Sequence, residues 1–316
     1  MSMLSQVSRT RPGAPGQRSG VKSSNMEPYN VRDVIEKLDR IDQWLCERGL
    51  KKHDRIRIHK RNLTQLADAQ DDEEKFLPFF DGLPDEKRRE MIWSIVEADE
   101  FVKSLDDFGD KKNEIPRELL KKALLGPADL FQEDETSNIG RNTMFEILFG
   151  GVVASVGLHP RLGKEPDVSF EFDNCQIFVQ CKRVLSEARV EERVSEAAKQ
   201  LQRDLAQSSN GTDCGLVAIS LSRLINPGNR LLNVPSVSDA DNVLRREIRS
   251  VIDGHKKGLL GCAKDPKVAG ILLHMSTPAW IMEEGKCCVV RSMTAFPMSG
   301  CSDSALLTRL AGFLKI

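Results

Sequence analysis

The chain has 316 residues, and its 46 lysine and arginine side chains against 47 aspartate and glutamate side chains give a net charge of −1. A content of 40% hydrophobic and 29% charged residues is that of an ordinary globular protein, and the length allows two domains. No run of about 18 apolar residues and no apolar signal-peptide core is present, which argues against membrane spans and makes a cytoplasmic location the expectation. A charge near zero gives no general support for a polyanionic partner, so any anion-binding surface must be local.

The first part of the chain divides into a tail and a helical region. Residues 1–28 are rich in serine, glycine and proline, and they contain four basic residues and no acid before Glu27. This composition predicts a disordered basic tail. From residue 29 to about 135, apolar residues recur at helical spacing, as they do from Val31 to Leu45, and prolines separate the units. The sequence therefore predicts a helical accessory domain over 29–135.

A dense basic stretch lies inside this helical region, between Lys51 and Arg61. Lys51, Arg55 and Arg57 are candidate contacts to a nucleic-acid backbone, because each phosphate that a cation neutralises releases counterions. The alternative for the same residues is a solvated helical face.

From residue 136 onward the pattern alternates between helices and strands, which predicts an α/β domain over 136–316. Its first helix, over 142–157, carries Glu146 beside an apolar stripe. The pair Gly150-Gly151 costs helix stability, so we expect another backbone to approach closely there. The other predicted elements outside the hairpin described next are helices over 190–205, 239–253 and 304–314 and strands over 214–221, 268–275 and 287–293.

A predicted β-hairpin over residues 167–182 organises this domain. Both of its strands place apolar residues at every second position. The pair Asp173-Asn174 between the strands suits a two-residue turn. With that turn Phe172 pairs with Cys175, and the apolar faces of the two strands close on the same side.

The same register brings three polar side chains together on the opposite face. Asp167 lies across from Gln180, and directly opposed Cβ atoms are about 4.5–5.5 Å apart, close enough for both side chains to share one metal ion. Lys182 lies two residues farther along that face, about 6–7 Å away. A carboxylate, an amide oxygen and an ammonium group therefore converge at the mouth of the hairpin.

These residues resemble the PD-(D/E)xK nuclease superfamily. The resemblance covers about residues 138–221 and includes a helix with Glu146, Pro166-Asp167, a 12-residue gap, Gln180-Cys181-Lys182 and a following helix. Gln180 in place of the usual acid is similar to the Mrr-like restriction branch, which carries QxK. The resemblance implies a restriction-endonuclease-like αβββαβ core.

The resemblance also implies an activity, that of a metal-dependent endonuclease that hydrolyses DNA in restriction or defence. The implied catalytic residues are Glu146, Asp167, Gln180 and Lys182. The implied ligands of Mg²⁺, or alternatively Mn²⁺, are Asp167, Gln180, Glu146 and the backbone carbonyl of Cys181. Lys182 would position the attacking water and stabilise the developing negative charge.

The helix after the hairpin flanks the active site in that superfamily. Lys199, Gln200 and Arg203 are therefore candidate nucleic-acid contacts, with ordinary surface polarity as the alternative. The sequence leaves open RNA in place of DNA and a homodimer in place of a monomer. Because Gln180 is neutral, the alternative function is an inactive nuclease-fold protein that binds nucleic acid or a partner protein.

Overall fold

A computed structural model of the chain describes residues 30–51, 54–69, 73–128, 132–134, 137–163, 165–208, 212–226, 230–262, 265–298 and 304–314. The tail predicted over residues 1–28 lies outside the described residues. Within these ranges, none of the helices has both the length and the apolar character needed to cross a membrane.

The described residues form a mixed α/β structure with ten α-helices and a seven-stranded sheet. The helices are α1 (Val31–Glu47), α2 (Asp54–Ala67), α3 (Glu73–Gly82), α4 (Asp85–Phe108), α5 (Arg117–Ala123), α6 (Ile139–Ser155), α7 (Val190–Gln207), α8 (Ser222–Ile225), α9 (Val237–Cys262) and α10 (Ser304–Phe313). The strands are β1 (Arg161–Leu162), β2 (Val168–Phe172), β3 (Cys175–Arg183), β4 (Cys214–Ser220), β5 (Leu232–Val234), β6 (Val268–Ile281) and β7 (Lys286–Pro297).

The N-terminal half is helical, as the apolar spacing predicts. The side chain of Asn30 accepts a hydrogen bond from the backbone N–H of Arg32 at 2.9 Å, which caps the start of α1. On α4, all residues from Met91 to Ala98 are buried, so this helix packs on several sides. The buried residues of α1 form one face of that helix, and they are Val31, Val34, Leu38, Ile41 and Leu45.

The sheet is mixed, with antiparallel strands at both edges. Strand β3 pairs with β2 in the antiparallel sense and with β4 in the parallel sense. Strand β6 pairs with β7 along one edge, and its other edge is shared by β4 and, farther along, by β5. The parallel pair β3–β4 is connected through α7, as parallel neighbours require.

Helices cover both faces of the sheet. Helices α6 and α10 pack on one face, against strand residues such as Val179, Cys181 and Leu216. Helices α7 and α9 pack on the other face, against residues such as Val217 and Ile219. Strand β3 therefore sends alternate side chains toward α6 and toward α7.

The predicted hairpin register is confirmed. Phe172 pairs with Cys175, and the last pair before the strands separate is Val168 with Val179. Asp173 and Asn174 have φ angles of 51° and 60°, and two positive φ angles are what a type I′ turn requires. Because β3 has nine residues and β2 five, the last four residues of β3 extend beyond the end of β2.

The glycine pair of α6 lies where other parts of the chain approach the helix. A Cβ atom on Gly151 would lie 2.9 Å from the backbone oxygen of Ser104 on α4. A Cβ atom on Gly150 would lie 2.8 Å from a side-chain carbon of Leu162. The predicted close approach of a backbone is therefore confirmed at Gly151, and it sets the distance between α4 and α6.

A buried ion-pair network joins α2, α4 and α6. The carboxylate of Glu97 accepts hydrogen bonds from Arg55 at 2.9 Å, from His59 at 2.8 Å and from Arg141. Burial alone would raise the pKa of Glu97, but the charges of Arg141 and Arg55 hold it well below its usual range. The network thus contains an ionised carboxylate that both arginines need.

Arg55 corrects one prediction from the sequence. The residue is 6% exposed, and its side chain donates hydrogen bonds to the backbone oxygens of Ala123 and Leu125 as well as to Glu97. A guanidinium group buried in this way cannot contact a phosphate backbone, so the prediction of Arg55 as a nucleic-acid contact is wrong.

A second buried carboxylate, Glu133, fixes the end of β3. It accepts hydrogen bonds from Arg183 at 3.2 Å and from Arg223 at 2.9 Å. Arg183 follows Lys182 directly in the strand, so its side chain points to the face that α6 covers. This contact therefore holds the last residue of β3 in place beside Lys182.

The helical N-terminal part packs directly on the sheet. Phe76 of α3 stacks on Trp280 of β6, with ring centroids 4.5 Å apart. One hydrophobic cluster also contains apolar residues from α1, α2, α4 and α5 together with residues of α7, α9 and the sheet. The domain boundary near residue 135 stays a prediction, and the packing across it is continuous.

Replacing Glu97 with alanine should leave Arg55 and Arg141 buried without their counter-charge. Removing one partner of a buried ion pair costs about 3–5 kcal/mol, so we expect a loss of that size in the free energy of unfolding measured by urea titration. The control is Arg57→Ala, which breaks the exposed pair of Arg57 with Asp54 and should cost less than about 1 kcal/mol. Equal losses in the two variants would contradict a structural role for the network.

Candidate active site

Asp167 lies just before β2, and its side chain turns to the edge of β3. Its Oδ2 atom accepts a hydrogen bond from the backbone N–H of Cys181 at 2.8 Å. The pairing of β2 with β3 ends at Val168 and Val179, so Asp167 takes the place that the next paired residue would occupy. The N–H and C=O of one strand residue point to the same side, so the carbonyl of Cys181 also faces the side of Asp167.

Gln180 lies on the face of β3 that α7 covers and is only 2% exposed. Its Nε2 atom donates a hydrogen bond to Oδ2 of Asp204 on α7 at 2.9 Å. The register that places Asp167 opposite Gln180 is confirmed up to the preceding pair, but the hydrogen bonds of the two side chains go to different partners. Sharing of one metal ion by Asp167 and Gln180 stays a prediction.

Glu146 of α6 is close enough to Asp167 and Lys182 for the charges to act on one another. Burial, and then the negative charge of Asp167, raise the pKa of Glu146 to about 8, while Lys182 and Lys122 act in the opposite direction. Burial also raises the pKa of Asp167, against the effect of Lys182. Among the described residues, Glu146 and Lys182 have no hydrogen-bond or ion-pair partner, so both side chains are available to other groups.

The donor atoms at this place fit a hard divalent cation. Mg²⁺ takes oxygen ligands, and the carboxylates of Glu146 and Asp167, the Gln180 amide oxygen and the Cys181 carbonyl are all oxygen donors. Burial raises the pKa of both half-buried carboxyl groups, and Asp167 raises that of Glu146 further, so a cation between them would stabilise their ionised forms. Across the described ranges, no three histidine, cysteine, aspartate or glutamate side chains are arranged to hold a metal ion by themselves. An ion here would therefore need the amide and carbonyl oxygens as well.

The other predicted nucleic-acid contacts fall into two groups. Lys199 and Arg203 are exposed on α7, whereas Gln200 is half-buried on the same helix. Lys51 is exposed, and the exposed side chain of Arg57 pairs with Asp54 at 2.8 Å. The exposed side chains of both groups can reach a ligand, unlike that of Arg55.

Two residues of the site were missed by sequence reasoning. Asp204 follows Gln200 by four residues and so lies on the same face of α7, a spacing that could have identified it. Lys122 of α5 lies near enough to Glu146 to affect its pKa, but nothing in the sequence relates these two positions. The helical N-terminal part therefore contributes charge to the site.

Comparison of the chain with protein-family models, with curated proteins and with solved structures gave no match. The resemblance to the nuclease superfamily accordingly rests on the residues of this chain and on their arrangement.

In the metal-free protein, the pH dependence of stability should report the state of Glu146. The folded protein keeps the proton up to a pKa of about 8, whereas the unfolded chain releases it near 4.5. Between those values the free energy of unfolding of the wild type should fall by up to about 1.4 kcal/mol per pH unit. Glu146→Gln cannot ionise and should not show this loss.

The measurement is a series of urea titrations with EDTA between about pH 5 and pH 8. The control is Glu171→Gln, which replaces an exposed carboxylate on β2 and should follow the wild type. Parallel stability curves for the wild type and Glu146→Gln would show that the Glu146 carboxyl ionises normally.

Proposed function

We propose that the protein is a metal-dependent endonuclease that hydrolyses DNA phosphodiester bonds. The observation that carries this proposal is the convergence of Glu146, Asp167 and Lys182 at the edge of β3 that extends beyond β2. Two carboxylates beside an ammonium group without an ion-pair partner are the groups that hydrolysis of a phosphodiester requires. Restriction or defence against foreign DNA is the setting that the resemblance implies.

The order of elements around the site supports a restriction-endonuclease-like core. Helix α6 is followed by β1, β2 and β3, then by α7 and β4, which gives the expected order αβββαβ. Strands β1, β2 and β3 are antiparallel neighbours, and β4 joins β3 in the parallel sense. The site then lies between α6 on one face of the sheet and α7 on the other.

Each side chain of the site has a defined role in this proposal. Asp167, Glu146, the amide oxygen of Gln180 and the carbonyl oxygen of Cys181 would hold the metal ion. Bound Mg²⁺ would supply a Lewis acid for the phosphate and lower the pKa of the attacking water. The Nζ atom of Lys182 donates a hydrogen bond that orients this water, and its charge stabilises the extra negative charge on the phosphate oxygens.

The competing function is an inactive nuclease-fold protein that binds nucleic acid or a partner protein. The observation in its favour is the neutral side chain of Gln180, whose amide is already bound to Asp204. Incubation with supercoiled plasmid separates the two functions. We expect nicked and linear DNA with Mg²⁺ and none with EDTA, whereas a binding protein would retard the plasmid in a gel without cutting it.

Lys182→Ala should abolish cleavage while the protein stays folded. Loss of one positioned donor to a developing negative charge lowers the rate by about 100-fold or more. The control is Lys286→Ala, which removes an exposed lysine at the start of β7 and should leave the rate unchanged. Cleavage at the wild-type rate by folded Lys182→Ala would remove this lysine from the mechanism.

The cations of α7 should contribute salt-dependent affinity for DNA. Each phosphate contact adds about 0.9 to the slope of log affinity against log salt concentration, so Lys199→Ala/Arg203→Ala should lower the slope by about 1.8. Fluorescence anisotropy with labelled duplex DNA in EDTA measures binding without cleavage.

Two further double variants are measured in the same way, one as a control and one as a test of a second surface. Lys256→Ala/Lys257→Ala removes the same charge from the exposed side of α9 and serves as the control. Lys51→Ala/Arg57→Ala tests the remaining exposed candidates of the N-terminal basic stretch. A slope for the α7 variant equal to that of the α9 control would exclude α7 as a DNA-binding surface.

A further inference from the structure

Asp204 connects α7 to the strand that carries the site. It lies one turn after Gln200, and its Oδ2 atom accepts a hydrogen bond from Nε2 of Gln180 at 2.9 Å. Gln180 is 2% exposed, so water does not compete strongly for its amide group. The contact therefore holds the Gln180 side chain in one orientation.

This orientation determines which end of the amide is free. An ionised carboxylate only accepts hydrogen bonds, so it selects the NH₂ end of the Gln180 amide. The Oε1 atom then points away from Asp204. An amide without such a partner can turn over and present NH₂ to a cation, which would repel it.

The direction of α7 places a second polar side chain beside the site. Because α7 connects two parallel strands, it runs antiparallel to β3. Four helical residues rise about 6 Å and two strand residues about 6.6 Å, so Gln200 lies level with Lys182 as Asp204 lies level with Gln180. The Oε1 atom of Gln200 is buried and has no hydrogen-bond partner among the described residues.

We infer that Asp204 is a positioning residue of the metal site, which orients the Gln180 amide oxygen toward the ion and supplies the negative charge that a neutral residue at position 180 lacks. This inference rests on the proposed function, because it assigns a role toward the same ion. In this arrangement the pair Gln180–Asp204 replaces a single acid on the strand, with the ligand atom on β3 and the charge on α7.

The inference predicts that the two positions depend on each other. Asp204→Asn removes the negative charge, and the asparagine amide can bond to either end of the Gln180 amide. We therefore expect the affinity for Mn²⁺ to fall about tenfold or more. Gln180→Glu alone sets two carboxylates against each other and should gain little affinity. In the double variant Gln180→Glu/Asp204→Asn, the asparagine can donate to the new carboxylate, and the affinity should return to near the wild-type value.

The experiment is titration of the full chain with Mn²⁺, followed by the electron paramagnetic resonance signal of the free ion. Thermal melting in EDTA checks that each variant is folded. The control is Glu196→Gln, which removes from α7 a carboxylate that pairs with Arg193 at 2.7 Å and should leave the affinity unchanged. The inference holds if Gln180→Glu changes the Mn²⁺ affinity by factors that differ about tenfold or more between the protein with Asp204 and the Asp204→Asn variant.

Other outcomes separate this inference from the proposed function. Unchanged Mn²⁺ affinity in Asp204→Asn, or an equal effect of Gln180→Glu in both backgrounds, overturns the inference while a cleaving wild type keeps the function. A wild type that binds Mn²⁺ through Gln180 and Asp204 but does not cut plasmid overturns the catalytic function and keeps the inference. A wild type that binds no Mn²⁺ overturns both.

Discussion

The turn at Asp173-Asn174 fixes the register of the hairpin, and the site depends on that register. Side chains alternate between the two faces of β3, so a slip by one residue would exchange every side chain between α6 and α7. Gln180 and Lys182 would then enter the apolar layer under α6. The positive φ angles of both turn residues hold the two-residue connection, and the greater length of β3 leaves its last residues free of β2. Asp167 can reach the backbone of Cys181 only because β2 has ended there.

The buried contacts around α6 hold Glu146 against an unfavourable environment. Burial and the negative charge of Asp167 make the carboxyl group of Glu146 harder to ionise and raise its pKa. The helix that carries it is fixed by the close approach of Gly151 to Ser104 and by the pairing of Arg141 with Glu97. The packing and the ion pair that fix this helix do not involve the site itself.

The elements that the sequence predicted well are those with a local pattern. Alternation gave the faces and register of the hairpin, and helical spacing gave the buried side of α7. The very short strands β1 and β5 have too few residues for a periodic signal. The prediction for Arg55 was wrong because its acidic partner Glu97 is 42 residues away in sequence. In the sequence alone, an arginine with so distant a partner cannot be distinguished from an exposed arginine. Asp204 was not predicted for the same reason. Its contact with Gln180 joins residues that are 24 positions apart and depends on how α7 lies across β3.

The charge of the whole site bears on whether Gln180 indicates a lost activity. Besides Gln180, the site contains the carboxyl groups of Glu146, Asp167 and Asp204, so the neutral residue on β3 does not by itself leave the site short of acid. Asp204 raises the pKa of Asp167, and it accepts a hydrogen bond from the buried amide of Gln180. In the proposed metal site, Asp204 on α7 thus supplies the negative charge that a neutral residue on β3 lacks.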